Sequence, residues 1–224
     1  MKHYEKINTE SRFDTVIVAD GTFPKGDVAQ NILRHARHII ACDGAAKTLL
    51  NQGFEPTGIT VIGDGDSLSE ELKAQLHFIQ IEEQDSNDLT KATRHYIAQP
   101  TTVCGSRIAF LGATGKREDH TLANISLMMR YYREMNIQPV MITDDGYFIP
   151  SDGASSFTTF VGEQVSIFNF GCRQLESEGL VWNVFPFDEL WQGTLNEAEK
   201  TTIKFKGDGY YLVYLTFQGK RHCV

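Results

Sequence analysis

The chain has 224 residues, 41% of them hydrophobic, and a formal net charge of −8. That length allows one or two domains with real cores and excludes a wholly disordered chain. The excess of acid argues against non-specific binding to nucleic acid or to an anionic membrane, both of which rest on surplus Lys and Arg, so a phosphate substrate would need a metal or a few placed basic side chains.

The chain opens with Met1 to Asn8, charged where a signal peptide needs an apolar core, and no later run approaches a membrane span; the expectation is a cytoplasmic protein. Thr15 to Ala19 is a continuous, mostly β-branched run, the pattern of a strand buried on both faces in a parallel sheet, and Asp20-Gly21 ends it. Asp27 to Ala36 carries Val28, Ile32, Leu33 and Ala36 at helical spacing. His38 to Cys42 reads as the next strand, closed by Asp43-Gly44, with a helix beginning over Ala45 to Leu50. Strand, carboxylate and helix recur over Ile59 to Leu72, and again from Ile108 through Gly112 into Leu122 to Met135; Pro139 to Thr143 fits one more strand. This alternation predicts a doubly wound, parallel α/β domain with right-handed crossovers.

After Asp144 the texture changes. Ser151 to Ser156 reads as a loop, and short alternating or aromatic stretches follow at Gln164 to Phe170, Gly179 to Val184, Thr201 to Phe205 and Tyr210 to Phe217. Gly207-Asp208-Gly209 has the composition of a hairpin connection. The last third is therefore expected to be a small antiparallel sandwich or barrel. Cys42, Cys104, Cys172 and Cys223 are scattered with no Cys-x-x-Cys pair, and the seven histidines do not cluster, which suits a reduced chain better than a disulfide framework or a zinc site.

Three stretches offer chemistry. In Gly58 to Ser67, a short strand ends at Gly63 and presents Asp64 and Asp66 at its carboxyl end, where open α/β sheets bind ligands. Two carboxylates about 4 Å apart repel by roughly 4 kcal/mol at an effective dielectric near 20, so a cation between them is the natural relief. Oxygen-only ligands favour magnesium or manganese over zinc. The plain alternative is a polar turn in which Asp66 or Ser67 caps a following helix. In Glu83 to Lys91, Asp85, Asp88 and Lys91 are spaced i, i+3, i+6 and would share one helix face able to hold a metal and a phosphate; a capping pair is the alternative. In Gly112-Ala-Thr-Gly115-Lys116-Arg117-Glu-Asp119-His120, glycines, a helix N-terminus and two basic side chains make a polyphosphate cradle that is neither a Walker A loop nor a dinucleotide fingerprint; an ordinary βα turn is the alternative. Sites at successive strand ends converge on one crevice and together call for a metal nucleotide.

These residues resemble the motifs of the thiamine pyrophosphokinase family: Asp43-Gly44, Gly63-Asp64-Gly65-Asp66-Ser67, Glu83 to Lys91 and Gly112 to His120 occur in the family's order and spacing. Gly179-Leu-Val-Trp182-Asn and Gly193-Thr-Leu-Asn196 resemble its C-terminal segments. Glu83 stands where the family has Asp, Asn87 where it has Thr, Gly65 where a bulky residue is usual, and Lys116 where it has the second Gly of the phosphate turn.

The resemblance implies a catalytic, nucleotide- and metal-binding domain over 1–145 and a thiamine-binding β-sandwich over 146–224. It implies transfer of pyrophosphate from Mg-ATP to the thiamine hydroxyl, releasing AMP. Asp64, Asp66 and Asp88 would hold Mg2+, and Lys91 and Arg117 would stabilise charge on the transferring group. Asp43, Gly44, Ser67, Asp85, Gly112, Gly115, Lys116, Asp119 and His120 would contact the nucleotide or anchor its turn. Trp182 would stack on thiamine with Asn196 fixing a polar edge, against the alternative that Trp182 is a core residue. The family implies a homodimer with the active site at the subunit interface. A phosphohydrolase using Asp64 and a non-catalytic nucleotide sensor are the rival readings.

Overall fold

The computed structural model describes residues 1–100, 102 and 105–219, so Cys104 and Cys223 lie outside the described residues. The chain is mixed α/β and divides into two compact units, Thr9–Asp144 and Met1–Asn8 with Asp145–Val224. The first eight residues thus belong with the C-terminal unit and not with the α/β domain expected to contain them. The reason is β1 (Lys2–Tyr4), which pairs in parallel with Ser155, Ser156 and Phe157.

The Thr9–Asp144 unit is built on six strands: β2 (Thr15–Val18), β3 (His38–Cys42), β4 (Ile59–Gly63), β5 (His77–Gln80), β6 (Arg107–Leu111) and β7 (Gln138–Ile142). Their order is β7-β6-β2-β3-β4-β5 and every neighbouring pair is parallel. From β2 the chain steps outward to β5, then returns to the other side of β2 as β6, so the order reverses between β2 and β6. In sheets of this kind the crevice at such a reversal is the ligand site. The four residues of β2 are all buried, which is why its β-branched run is uninterrupted. β5, an edge strand with only half-buried apolar residues, had no signature in the sequence.

Five helices cross between strands: α1 (Asp27–Arg34), α2 (Ala45–Asn51), α3 (Glu70–Lys73), α4 (Asp88–Ile97) and α5 (Glu118–Glu134). α4 begins at Asp88, with the Asn87 side chain accepting the Thr90 amide at 3.0 Å. Asp85 therefore precedes the helix and does not share the face of Asp88 and Lys91, contrary to the spacing argument. α3 is capped by Ser69, whose hydroxyl accepts the Leu72 amide at 3.4 Å; neither Asp66 nor Ser67 takes that role.

Among the described residues the second unit is built on β1, β8 (Gly146–Thr158), β9 (Glu163–Phe170), β10 (Leu175–Glu178), β11 (Asn196–Glu197) and β12 (Thr202–Gly219), with one 3-10 turn at Leu190–Gly193. β12 is its spine, antiparallel to β8, β9 and β10. Three sequence expectations change here. Ser151 to Ser156 is not a loop but the middle of β8; its serines are buried because partners are at hand, as in Ser155 Oγ to Tyr211 Oη at 2.7 Å. Gly207-Asp208-Gly209 is not a hairpin but a register shift inside one long strand, with Asp208 accepting the Arg173 and Gln174 amides at 2.8 and 2.9 Å. Gly179 to Val184 forms no strand beyond a single bridge from Leu180 to Ala198. Phe157 anchors the unit's core, stacked on Tyr4 and edge-on to Phe205.

Candidate active site

Because β2, β3, β4 and β6 are parallel neighbours, their carboxyl ends lie along one edge, and the loops leaving them frame a cleft of about 400 Å³. Asp20 and Gly21 follow β2, Asp43 and Gly44 follow β3, Asp64, Asp66 and Ser67 follow β4, and the Gly115 to Arg117 turn follows β6; all of these line it. Asn87 and Asp88, at the start of α4, and His120, in the first turn of α5, complete the wall.

Asp43, Asp64 and Asp66 each offer an oxygen within 4.8 Å of the others. Asp43 is the buried member. One carboxylate oxygen accepts the Ser67 amide at 3.0 Å, and the other is buried with no hydrogen-bond partner among the described residues. Burial raises its pKa, and the Ser67 hydrogen bond opposes the shift while Asp66 and Asp88 add to it. Its backbone is held at φ 26°, in the left-handed region that a side chain disfavours. The neighbouring strand ends in Gly63 for a steric reason: a Cβ there would stand 2.7 Å from that of Asp43. An unsatisfied buried carboxylate oxygen beside two further carboxylates is costly in isolation and is relieved by a cation.

Asp64 is held the other way. It accepts the Asp66 amide at 3.2 Å and the Gln84 side chain at 3.3 Å, and these hydrogen bonds lower its pKa. Asp66 is exposed and accepts the Ser67 hydroxyl at 3.0 Å. Asp88, half-buried in the same cleft, sits 3.3 Å from the buried ammonium of Lys91. Burial raises the Asp88 pKa against the pull of Lys91. The tight three-carboxylate group thus closes with Asp43, whereas Asp88 is engaged by Lys91. Cys42 also lines the cleft, but burial and then the charges of Asp88, Asp20 and Asp43 raise its pKa, so it is a protonated thiol and no nucleophile.

The turn after β6 is zipped to the turn after β2. Gly21 donates to the Gly112 carbonyl at 2.7 Å and Thr22 to the Thr114 carbonyl at 2.8 Å. The approach is close enough that a Cβ on Gly112 would lie 2.5 Å from the Ala19 carbonyl oxygen. Lys116, the departure from glycine, occupies the left-handed angle itself at φ 58°, and its ammonium meets Asp20 at 2.9 Å. A single left-handed non-glycine residue costs about 1 kcal/mol, small enough for a turn pinned on both sides. Arg117 forms a two-pronged pair with Asp119 at 2.6 and 3.1 Å; the guanidinium pushes Asp119 down to about 2. The Gly115 amide is taken by the Thr121 hydroxyl at 3.0 Å.

Of the predicted residues, Asp85 is exposed and is not among those lining the cleft, and Gly112 and Asp119 act behind it through the turn and Arg117. Trp182 and Asn196 belong to the β unit. Trp182 is 54% exposed, which removes the core alternative. Buried Asn196 accepts the Trp182 amide at 3.2 Å and donates to its carbonyl at 2.8 Å, so its side chain fixes the Trp182 main chain. Sequence reasoning missed Asp20 and Asn124. Asn124 donates to the Ala113 carbonyl at 2.8 Å and accepts from Asn87 at 3.2 Å, tying the β6 turn to the cap of α4. An asparagine amid the apolar positions of α5 was its one visible signal.

Comparison with family models decides what the cleft belongs to. Residues 29–140, half of the chain, match the model described as thiamin pyrophosphokinase, catalytic domain, and residues 146–214 match thiamin pyrophosphokinase, substrate-binding domain. The chain belongs to the thiamin pyrophosphokinase family. Its activity is accordingly the transfer of pyrophosphate from ATP to the hydroxyl of thiamine, giving thiamine diphosphate and AMP. Solved thiamin pyrophosphokinases share the fold. The enzyme from Candida albicans is 15% identical with a TM-score of 0.76, over 97% of this chain and 93% of that one. The yeast enzyme is 16% identical with a TM-score of 0.74, over 96% and 90%. That from Bacillus subtilis is 22% identical with a TM-score of 0.69, over 90% and 97%. A comparison with curated proteins finds no match. None of the described helices is long and apolar enough to cross a membrane.

Proposed function

We propose that pyrophosphate transfer takes place in the carboxylate cleft, with Mg2+ held by Asp64 and Asp66 together with Asp43 or Asp88. The observation that carries this is the meeting of three carboxylates within 4.8 Å around a buried Asp43 oxygen that has no partner among the described residues. Hard oxygen donors of this kind suit Mg2+, which usually keeps several waters and substrate phosphates as its remaining ligands. Bound there, the ion supplies charge neutralisation on the phosphate oxygens.

The chain's own part is positioning. Arg117 and Lys116, which line the cleft, place positive charge along the triphosphate, the buried Lys91 acts through its pair with Asp88, and Gly44, Ser67, Gly115 and His120 shape the wall against the nucleotide. No side chain needs to become covalently attached, since the thiamine hydroxyl is itself the attacking group.

Thiamine falls to the β unit over 146–224, read as the family's sandwich, with Trp182 stacking on the cationic ring. Its exposure and the clamp from Asn196 support that role. The assembly is a homodimer in which the β unit of one copy completes the cleft of the other, working in the cytoplasm.

Trp182→Ala should raise the thiamine KM roughly five- to thirtyfold, the equivalent of about 1 to 2 kcal/mol of cation–π attraction, and leave the ATP KM unchanged. Steady-state kinetics with each substrate varied checks this; equal losses for both would place Trp182 outside the thiamine site. Lys116→Gly keeps the left-handed turn and deletes the charge. It should raise the ATP KM roughly fivefold, about 1 kcal/mol, with the thiamine KM unaffected. An unchanged ATP KM would leave Lys116 only its contact with Asp20.

The reading as a whole is tested by product analysis after incubation with ATP, with and without thiamine and Mg2+. AMP and thiamine diphosphate in equal amounts, only when all three are present, is the expected result. Turnover undiminished by chelation would overturn the metal assignment, and inorganic phosphate formed without thiamine would favour a hydrolase.

A further inference from the structure

At the other end of the same sheet, the amino ends of β2, β3 and β6 frame a second cavity of about 520 Å³. Its floor is set by register: Thr15 pairs with His38 on one side and with Ile108, next to Arg107, on the other. Three guanidinium groups, Arg12, Arg37 and Arg107, line the cavity against one carboxylate, Asp14. In a chain with a net charge of −8 this concentration of like charge is conspicuous.

The guanidiniums are held in place. Arg12 donates to the Thr9 and Ser11 carbonyls, both at 3.0 Å, Arg107 lies 4.9 Å over the Phe13 ring, and Arg37 stands 3.6 Å from Asp14. All three arginines are exposed and reachable from solvent. Thr15, fully buried and also lining the cavity, has a hydroxyl with no hydrogen-bond partner among the described residues. Three guanidiniums against one carboxylate leave the cavity with positive charge that its own lining carboxylate does not balance, and an anion's oxygens would balance it.

We propose that this cavity binds a small phosphate-bearing anion at a site separate from the carboxylate cleft. Guanidinium groups match phosphoryl oxygens in two-pronged pairs, and the volume lies in the range of small-molecule sites, larger than a bare phosphate needs. The ligand is therefore an organic phosphate or diphosphate, with its phosphoryl oxygens on Arg12, Arg37 and Arg107 and its carbon skeleton in the remaining volume of the cavity. The inference does not depend on how the carboxylate cleft works.

The test is calorimetric titration of the intact protein with pyrophosphate and, separately, with phenyl phosphate, in the presence of a chelator so that the acidic cleft has no metal through which to hold either anion. One anion per chain should bind at micromolar to millimolar concentration. Arg37→Ala and Arg107→Ala should each weaken it about tenfold, Arg37→Lys should weaken it less, and Asp64→Asn should leave it unchanged. Tighter binding of phenyl phosphate than of pyrophosphate would support an organic monophosphate as the ligand, and the reverse an organic diphosphate. No binding by the wild-type protein, or binding that survives the arginine substitutions in chains whose circular dichroism is native, would overturn the proposal.

Discussion

Asp66→Asn is expected to lower kcat about a hundredfold or more while leaving the fold intact, because it removes one charged oxygen donor from the centre that neutralises the triphosphate. The asymmetry between activity and stability follows from where Asp66 sits. It is exposed, its carboxylate accepts the neighbouring Ser67 hydroxyl, and asparagine preserves both its size and that acceptor. Its removal also relieves repulsion within a group of three carboxylates whose oxygens lie within 4.8 Å. Thermal stability should therefore be unchanged or slightly higher, within about 0.5 kcal/mol. Product assays combined with a melting curve decide the matter. Near-normal turnover would reduce Asp66 to a residue of a polar turn.

Glu163→Gln is expected to have the opposite profile, a large effect on stability and little on catalysis. Glu163 opens β9 and is fully buried; one oxygen accepts the Phe160 amide at 3.0 Å and the other has no partner among the described residues. Burial lifts its pKa from 4.5 to about 7, against smaller opposing pulls from the Phe160 hydrogen bond and Lys6. The folded chain therefore holds a proton that the unfolded chain has released between these values. The stability this provides is fully present below about pH 4.5 and is lost as the pH rises through about 7. The shift corresponds to about 3 kcal/mol lost across that window. Glutamine is neutral throughout, so the variant should lack this component of the pH dependence and be the more stable protein above about pH 7. Urea denaturation on both sides of that pH checks this, and parallel curves for the two proteins would contradict it.

What the sequence revealed and what it hid divide along physical lines. Thr15–Val18, His38–Cys42, Ile59–Gly63 and Arg107–Leu111 declared themselves because strands buried on both faces must be apolar and β-branched along nearly their whole length. Since the strands are parallel, the residues just past their ends share one edge, which is why Asp64, Asp66 and the turn from Gly112 to His120 read as one site; Asp43 enters that reading only through the family resemblance, and its place in the three-carboxylate group required the fold. The failures occurred where side-chain partners, and not hydrophobicity, decide the structure. Serines 151, 155 and 156 are buried in β8 because tertiary partners satisfy them, a fact no local pattern contains. Gly207 to Gly209 looks like a hairpin because glycine serves a register shift as readily as a turn. Spacing alone draws Asp85 onto a helix face; Asp85, Ser86 and Asn87 are all able to cap, and it is Asn87 that does. Asp20 was visible as a strand terminator, yet its pairing with Lys116 across 96 residues required the fold.

The most direct test of the carboxylate centre is a titration of Mn2+ into the protein with ATP present, followed by electron paramagnetic resonance. The account predicts one Mn2+ bound per chain in the wild-type protein and an affinity at least about tenfold weaker in Asp64→Asn. Equal Mn2+ affinity in the two proteins would contradict it.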